Sequence, residues 1–379
     1  MRNSDQQPPP KVAFVYTDEL SRYRLSPEHP LRPVRLRHMH DLMHLSGLFD
    51  LSNVSVAVPR RATRAEIESA HDPEYVSIVE AISNGAIAPG MGEFGLGTPD
   101  NPTRPGMYDT TALCVGTTLV AGELVLSGEA DIGFAPAGGV HHHAMRRNAS
   151  GFGVFNDAVI AMNAMVDAGL RVAYVDIDCH HGDGVQAGHY DSDRVLTISI
   201  HESGQWLFPG TGFVQEIGSG GGTGYSVNVP LAPYTQDADW HVAFDAVVPD
   251  LIRAFKPDVL FTQLGIDTHF QDPLTHLSLT TQGFNLAVQK LGWLGAEIGK
   301  WVAVGGGGYD LSAVARAWTM ALATMANYEL PADVPGTFTS LADDSTIESE
   351  GDVPTKFADT PPPPDEHSSL DEIQQHNAH

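Results

Sequence analysis

The stretch that decides the fold is Val172-Ala173-Tyr174-Val175 followed directly by Asp176-Ile177-Asp178-Cys179-His180-His181-Gly182-Asp183-Gly184. Its first four residues are apolar and partly β-branched, which is typical of a buried parallel strand. Ligands of α/β sheets bind beyond the carboxyl ends of strands. If the strand persists, its alternation places Asp176, Asp178 and His180 on one face. Two carboxylates and an imidazole there indicate a divalent-cation site, with a solvated acidic turn as the alternative.

Similar short apolar runs recur along the chain and alternate with longer helical patterns. Strands are expected over residues 12–16, 172–175, 195–200, 259–261 and 301–304, and helices over 155–169, 238–255, 282–300 and 311–328. This alternation predicts an α/β fold with a mostly parallel central sheet and right-handed crossovers.

Composition and charge limit the domain organisation and the class of partner. The chain has 379 residues and a net charge of −26, and residues 331–379 contain eleven acidic residues, one basic residue and a run of four prolines. We therefore predict a flexible N-terminus over 1–10, a single domain over 11–330, and an acidic, proline-rich tail over 331–379 that is largely disordered. Such acidity argues against nucleic acid or an anionic membrane as partner and favours cations.

Cysteine usage and hydropathy indicate the compartment. The chain has two cysteines, which is too few for a disulfide framework. Residues 1–11 are polar, so no secretory signal is predicted, and no run reaches the ~18 apolar residues of a membrane span. We expect a cytoplasmic protein.

Three further stretches are rich in glycine or carry polar residues of the types found in catalytic and metal sites. They are Gly138-Gly139-Val140-His141-His142-His143, Gln263-Leu264-Gly265-Ile266-Asp267, and Gly305-Gly306-Gly307-Gly308-Tyr309. A tandem histidine pair indicates a metal site or a general acid/base pair, unless the loop is merely exposed. Asp267 ends a predicted strand and is a candidate third metal ligand or a helix cap. The Tyr309 hydroxyl could stabilise an oxyanion, or the ring could simply be packed.

In this order, the four stretches resemble the arginase-like deacetylase superfamily of histone deacetylases, acetoin-utilisation deacetylases and acetylpolyamine amidohydrolases. The resemblance runs from about Tyr16 to Ala326. It is carried further by His71-Asp72-Pro73-Glu74-Tyr75, Phe208-Pro209-Gly210-Thr211-Gly212 and Asp272-Pro273-Leu274. Within the superfamily the chain is most similar to the bacterial acetoin-utilisation type, through Asp100-Asn101-Pro102 and His201-Glu202-Ser203-Gly204. The resemblance implies a three-layer fold with helices on both faces of the sheet and long active-site loops.

The resemblance also implies roles for individual residues. The catalytic set is His142, His143, Asp176, Asp183 and Tyr309, with His141 as the second choice within the histidine triplet. The zinc ligands are Asp178, His180 and Asp267, and Fe²⁺ is the alternative metal. The substrate-binding residues are Asp100, Gly151, Phe152, Phe208 and Leu274. A structural potassium site is implied at Asp176, Asp178, His180, Ser199 and Ile200.

The function implied is zinc-dependent hydrolysis of the acetyl amide of Nε-acetyl-lysine in proteins, with acetyl-CoA synthetase-like enzymes among the expected substrates. Acetylpolyamine deacetylation is the alternative enzyme activity, and Leu274 disfavours it because that subclass tends to carry an acidic group there. A non-catalytic acyl-lysine reader or an arginase-like manganese hydrolase are further alternatives. The presence of Tyr309 and of every expected ligand disfavours the reader, and the manganese hydrolase would leave Tyr309 without a role.

Overall fold

The centre of the protein is one sheet of eight parallel strands. A computed structural model describes residues 8–22, 24–88, 90–338 and 354–360. The strands are β1 (Val12–Val15), β2 (Val54–Ala57), β3 (Ile132–Ala135), β4 (Val172–Asp176), β5 (Val195–Glu202), β6 (Ser226–Leu231), β7 (Val259–Gln263) and β8 (Trp301–Val304). Their order across the sheet is β2-β1-β3-β8-β7-β4-β5-β6. The predicted parallel sheet is confirmed.

Helices cover both faces of the sheet. They are α1 (Val34–Leu45), α2 (Arg64–Glu68), α3 (Pro73–Ser83), α4 (Met107–Leu126), α5 (Asp157–Asp167), α6 (Asp183–His189), α7 (Asp237–Phe255), α8 (Thr281–Ile298) and α9 (Leu311–Met325). Along β4, Ala173 and Val175 face a core that includes residues of α1, α7, α8 and α9. Val172 and Tyr174 face a second core with residues of α3, α4 and α5. Two cores on opposite faces make three layers, as the resemblance implied.

The strands that the pattern predicts are present, and three others are added. β2 lies at the edge of the sheet and exposes part of its length, so it lacks a continuous apolar run. β6 contains Asn228 and Pro230, which break the apolar pattern. β3 contains Gly133, where a β-carbon would lie 2.5 Å from the carbonyl oxygen of Ala121 in α4. These strands need tertiary contacts that a local pattern does not record.

Helix α4 corrects the hydropathy prediction. It spans 20 residues and is, by length and composition alone, apolar enough to cross a membrane. Thirteen of its residues are nevertheless buried inside the protein, and it packs against α3, α5 and β3. A helix that covers one face of a sheet and is itself covered by other helices is apolar nearly all round, which explains its composition.

Part of the predicted acidic tail packs on the domain. Phe338 and Phe357 are 3% and 4% exposed, and they share an apolar cluster with Leu42 and Ala315. The backbone N–H of Val334 donates to the Thr355 carbonyl at 2.8 Å. The rest of the tail, 339–353 and 361–379, lies outside the described residues, as do residues 1–7 of the N-terminus, so the domain boundaries stay a prediction.

Candidate active site

The candidate site lies where three adjacent strands end. In the register of the sheet, Asp176 at the end of β4 lies beside Gln263 at the end of β7, and Gln263 lies beside Val304 at the end of β8. The loops that follow these strands carry the three polar stretches around His180, Asp267 and Tyr309. Parallel strands deliver their carboxyl ends to one edge, so residues distant in sequence converge there.

Asp178, His180 and Asp267 form a group that could hold a metal ion. Their ligand atoms all lie within 4.8 Å of one another, and all three residues are buried. Nδ1 of His180 is 2.8 Å from Oδ2 of Asp267 and 3.3 Å from Oδ1 of Asp178. Burial and the charge of Asp178 raise the pKa of Asp267 to about 6. Two buried carboxylates that repel one another beside an imidazole are the donor set of a zinc-like divalent cation, so the residues fit a metal.

The two carboxylates of this candidate metal group also accept hydrogen bonds from other groups. Oδ2 of Asp178 accepts hydrogen bonds from the Gln263 amide at 2.6 Å and from the Gly307 N–H at 2.7 Å. Oδ1 of Asp267 accepts one from the Cys179 N–H at 2.7 Å. Such outer partners orient metal ligands. The local sequence pattern predicted no role for Gln263, although a polar residue at the end of a buried strand could have indicated one.

Asp176 does not join the metal group, contrary to the strand-alternation argument. Strand β4 ends at Asp176, so Asp178 and His180 lie in the loop that follows. Oδ2 of Asp176 instead lies 2.9 Å from Nδ1 of His142 and accepts a hydrogen bond from the Tyr174 hydroxyl at 2.6 Å. The end of the strand therefore separates a carboxylate that orients histidine from one that can bind metal.

Two histidines of the triplet each pair with an aspartate. Alongside the His142–Asp176 pair, Nδ1 of His143 lies 2.7 Å from Oδ1 of Asp183, and the two imidazole rings are 4.0 Å apart. His141 differs, because its Nδ1 accepts the N–H of Val154 at 3.2 Å. His142 and His143 thus differ from His141 in having an aspartate partner.

The two paired histidines have opposite pKa shifts. Burial disfavours the charged form of His142, but the charges of Asp178 and Asp176 outweigh it and raise its pKa to about 9. Burial and the nearby charge of His142 lower the pKa of His143 to about 4, and Asp183 compensates only in part. These shifts favour the charged form of His142 and the neutral form of His143, and a neutral imidazole can accept a proton.

The glycine-rich loop presents Tyr309 to this group of residues. Arg35, which sequence reasoning missed, is buried and donates to the carbonyl oxygens of Gly306 at 2.9 Å and Gly308 at 2.8 Å. The Tyr309 N–H donates to Oδ2 of Asp272 at 2.8 Å. Burial and the charge of Asp267 raise the pKa of Tyr309 well above its usual range, so its hydroxyl keeps its proton. No local pattern links Arg35 to a loop some 270 residues away.

Two phenylalanines border the approach to the metal group. The Phe208 ring is 5.0 Å from the His143 ring and 6.4 Å from the His180 ring, and it is 45% exposed. The Phe152 ring meets the Tyr309 ring edge-on at 5.7 Å. The two aromatic rings thus lie beside different polar groups of the same site, and their role as walls of a substrate channel stays a prediction.

The remaining predicted substrate residues are linked to the site directly or through one neighbouring residue. Asp100 is exposed, and its carbonyl oxygen is 3.2 Å from Nε2 of His29, a ring that packs edge-on against Phe152. The Leu274 N–H donates at 3.0 Å to Oδ1 of Asp272, the carboxylate that also binds the Tyr309 N–H. Gly151 lies so close to His143 that a β-carbon there would lie 2.3 Å from Cδ2 of the ring.

The residues of the predicted potassium site lie on β4, on β5 and in the loop that follows β4. Asp176 and Ser199 are paired across β4 and β5, and Ile200 is the next residue of β5. The Ser199 hydroxyl lies 2.9 Å from Nδ1 of His201. Asp178 and His180 belong to the neighbouring loop. The potassium site remains a prediction.

The protein has a parallel sheet between two layers of helices, and a buried candidate metal group with two Asp–His pairs lies at one edge of that sheet. This combination defines the arginase/deacetylase-like class of fold. The sequence comparisons agree with this class. The family profile described as "Histone deacetylase domain" matches residues 29–325, and the chain belongs to that family.

Individual relatives support the bacterial subtype. The chain is 41% identical over 310 residues to the Bacillus subtilis acetoin utilization protein AcuC, covering 80% of this chain and 79% of that protein. It is 34% identical over 328 residues to the histone deacetylase clr6 of Schizosaccharomyces pombe, covering 86% and 79%. The crystal structure of a histone deacetylase homologue from Aquifex aeolicus superposes with a TM-score of 0.86 at 29% identity, covering 97% of this chain and 100% of that one. The predicted family and fold are confirmed.

Proposed function

We propose that this protein hydrolyses the acetyl amide of Nε-acetyl-lysine in proteins, with a zinc ion as cofactor. The observation that carries the proposal is the position of His143, which Asp183 orients at 2.7 Å and which lies 5.8 Å ring-to-ring from His180 of the candidate metal group. A base next to a metal-ligand group suits the addition of water to an unactivated amide.

A channel bordered by Phe152 and Phe208 would suit a lysine side chain. Phe152 and Phe208 can contact the four methylenes of lysine, which are apolar, while the amide reaches the polar end near His143. The exposed carboxylate of Asp100 can accept hydrogen bonds from the backbone N–H groups of a peptide. The apolar, partly buried Leu274 supports a lysine substrate over an acetylpolyamine, whose second ammonium would favour a carboxylate there.

The histidines can move the protons of the reaction. Nδ1 of His143 is engaged by Asp183, so Nε2 is left to take a proton from water as the oxygen bonds to the carbonyl carbon. The same nitrogen then returns the proton to the lysine nitrogen as the C–N bond breaks, which yields acetate and the free amine. His142, whose Nδ1 lies 2.9 Å from Oδ2 of Asp176, can stabilise negative charge beside His143 when it is protonated.

The carbonyl oxygen gains negative charge when water adds, and the protein offers a donor for it. The Tyr309 hydroxyl keeps its proton and can donate a hydrogen bond to that oxygen. A zinc ion held by Asp178, His180 and Asp267 would, when bound, supply Lewis-acid polarisation of the carbonyl and of the attacking water. Arg35 and Asp272 hold the carbonyl and the N–H of the peptide unit that precedes Tyr309, so the backbone that carries the hydroxyl is fixed before substrate binds.

The test is a substrate panel of acetyl-lysine peptides, longer acyl-lysine peptides and acetylspermidine, each assayed with and without a chelator. We expect release of acetate from the acetyl-lysine peptides, loss of activity with chelator, and recovery when zinc is restored. Turnover of acetylspermidine far above that of every peptide would overturn the proposed substrate. Undiminished activity in the metal-free protein would overturn the metal requirement.

Matched variants within the histidine triplet test the roles of its members. His143→Asn and His141→Asn each keep a hydrogen-bonding group at the position of Nδ1 but remove Nε2. We expect His143→Asn to lose about 10²- to 10⁴-fold in kcat, the usual contribution of a general base, and to keep its metal. His141→Asn should stay within a few-fold of the unaltered protein, because His141 only accepts the Val154 N–H. Equal losses in both variants would refute the assignment.

A further inference from the structure

The last described segment of the chain, residues 354–360, packs back onto the domain, and we call it the C-terminal clasp. Its Phe357 is buried in an apolar cluster with Phe338. The carbonyl oxygen of Phe357 accepts hydrogen bonds from the Thr281 hydroxyl at 2.8 Å and from Nη1 of Arg316 at 3.2 Å. The clasp is therefore attached by apolar packing and by hydrogen bonds to both α8 and α9.

The most connected residue of the clasp is Asp359. Its Oδ1 lies 2.6 Å from Nη1 of Arg316, and its Oδ2 lies 2.8 Å from Nε2 of His269 and accepts the Thr281 N–H at 2.8 Å. The side chains of Asp359, Arg316 and His269 are 6%, 1% and 0% exposed. A carboxylate this buried is stable only with such partners, so the clasp carries the counter-charge for a buried guanidinium.

These partners belong to the segments that carry the active site. His269 lies two residues after Asp267, and its carbonyl oxygen accepts the Asp272 N–H at 2.8 Å. Asp272 in turn accepts the Tyr309 N–H at 2.8 Å. Arg316 lies in α9, which begins two residues after Tyr309. One carboxylate from the end of the domain thus bridges the loop that follows β7 and the helix that follows Tyr309.

We infer that Asp359 is a positioning residue, which ties the loop carrying Asp267 and Asp272 to the helix that follows Tyr309. The inference rests on the proposed function for its kinetic consequences. Without the carboxylate, His269 and Arg316 each lose a partner, and the loop and α9 can shift relative to one another. Losing groups that orient metal ligands typically costs 10–100-fold in metal affinity or activity. Because Asp359 acts through His269, we expect an effect near the lower end of that range.

The experiment compares Asp359→Asn with Asp333→Asn in the full-length chain loaded with zinc. Both variants remove one carboxylate charge from the C-terminal region, but the Asp333 side chain is exposed. Four quantities are measured: kcat and KM for an acetyl-lysine peptide, the rate of zinc release to excess chelator, and the thermal midpoint. We expect Asp359→Asn to lower kcat about tenfold with KM within twofold, and to release zinc several-fold faster, while Asp333→Asn matches the unaltered protein.

A purely structural role would lower the thermal midpoint of Asp359→Asn but leave kcat and zinc release at 25 °C equal to those of Asp333→Asn, and that result would overturn the inference. If Asp359→Asn does not fold, Thr281→Val decides, because it removes only the hydroxyl bonded to the Phe357 carbonyl. A smaller loss of the same kind supports the inference, and unchanged kcat and zinc release overturn it. If the unaltered protein hydrolyses no acetyl-lysine peptide but Asp359→Asn still releases zinc faster, the positioning role is supported and only the proposed function is refuted.

Discussion

Replacing Gly151 by alanine displaces the proposed general base without altering any polar group. The φ angle of Gly151 is +49°, and a β-carbon there would lie 2.3 Å from Cδ2, 2.7 Å from Cγ and 2.9 Å from Cβ of His143. Ordinary contact begins at 3.4 Å, so the imidazole must move by about 1 Å. That movement would disrupt the 2.7 Å hydrogen bond between His143 and Asp183.

The expected magnitude follows from this displacement. A misplacement of about 1 Å in a catalytic group can cost on the order of 100-fold in rate. We therefore expect Gly151→Ala to lose about 100-fold in kcat on an acetyl-lysine peptide while it retains bound zinc. The left-handed φ adds a backbone cost of roughly 1–2 kcal/mol to the free energy of folding.

Gly220→Ala is the matched control, because Gly220 has a φ of +53° and nothing within 4 Å of its β-carbon position. It should carry the same backbone strain, measured as a similar loss in the free energy of unfolding, and keep full activity. If Gly151→Ala keeps kcat within threefold of Gly220→Ala, the close contact with His143 does not constrain catalysis and the reasoning is wrong.

Two further variants test other parts of the structure. Tyr309→Phe keeps the ring that packs against Phe152 but removes the hydroxyl, so kcat should fall about 10²- to 10³-fold while the thermal midpoint stays unchanged. The control Tyr328→Phe removes a hydroxyl on the surface and should have no effect. Equal activity of the two variants would contradict the oxyanion role. Burial lowers the pKa of His189 to about 4, so between pH 6.5 and 4 the unfolded chain binds a proton at this residue that the folded chain does not. The free energy of unfolding therefore decreases as the pH is lowered through this range, by up to about 3 kcal/mol. His189→Leu should remove that part of the pH dependence, measured by urea unfolding at several pH values. If the free energy of unfolding changes equally with pH in His189→Leu and in the unaltered protein, His189 is not held neutral.

Much of the candidate site could be predicted from local sequence, because the ends of strands carry its chemistry. Asp178, His180 and Asp267 each follow a short apolar run, and parallel strands bring such ends to one edge. The structure brings these three candidate ligands together and pairs His142 and His143 with Asp176 and Asp183.

The supporting contacts could not be predicted in this way. Arg35 reaches the glycine-rich loop from helix α1, and Asp359 reaches His269 from the other end of the chain. Each contact joins residues separated by 90 positions or more, and nothing in either local pattern depends on the other. The same limit explains why residues 354–360 resemble disordered tail by composition, since Phe357 is buried only by contacts with distant parts of the domain.

By itself, the sequence determined the class of fold, the edge of the sheet that carries the chemistry, and the residue types available there, because strand and helix periodicity and the order of polar residues are local properties. The tertiary structure decided which histidines of the triplet pair with aspartates, and it gave Asp176 and Asp178 different partners. It also gave His142 and His143 opposite pKa shifts. Those outcomes depend on burial and on distances of a few ångströms between separate segments, which only the folded chain establishes.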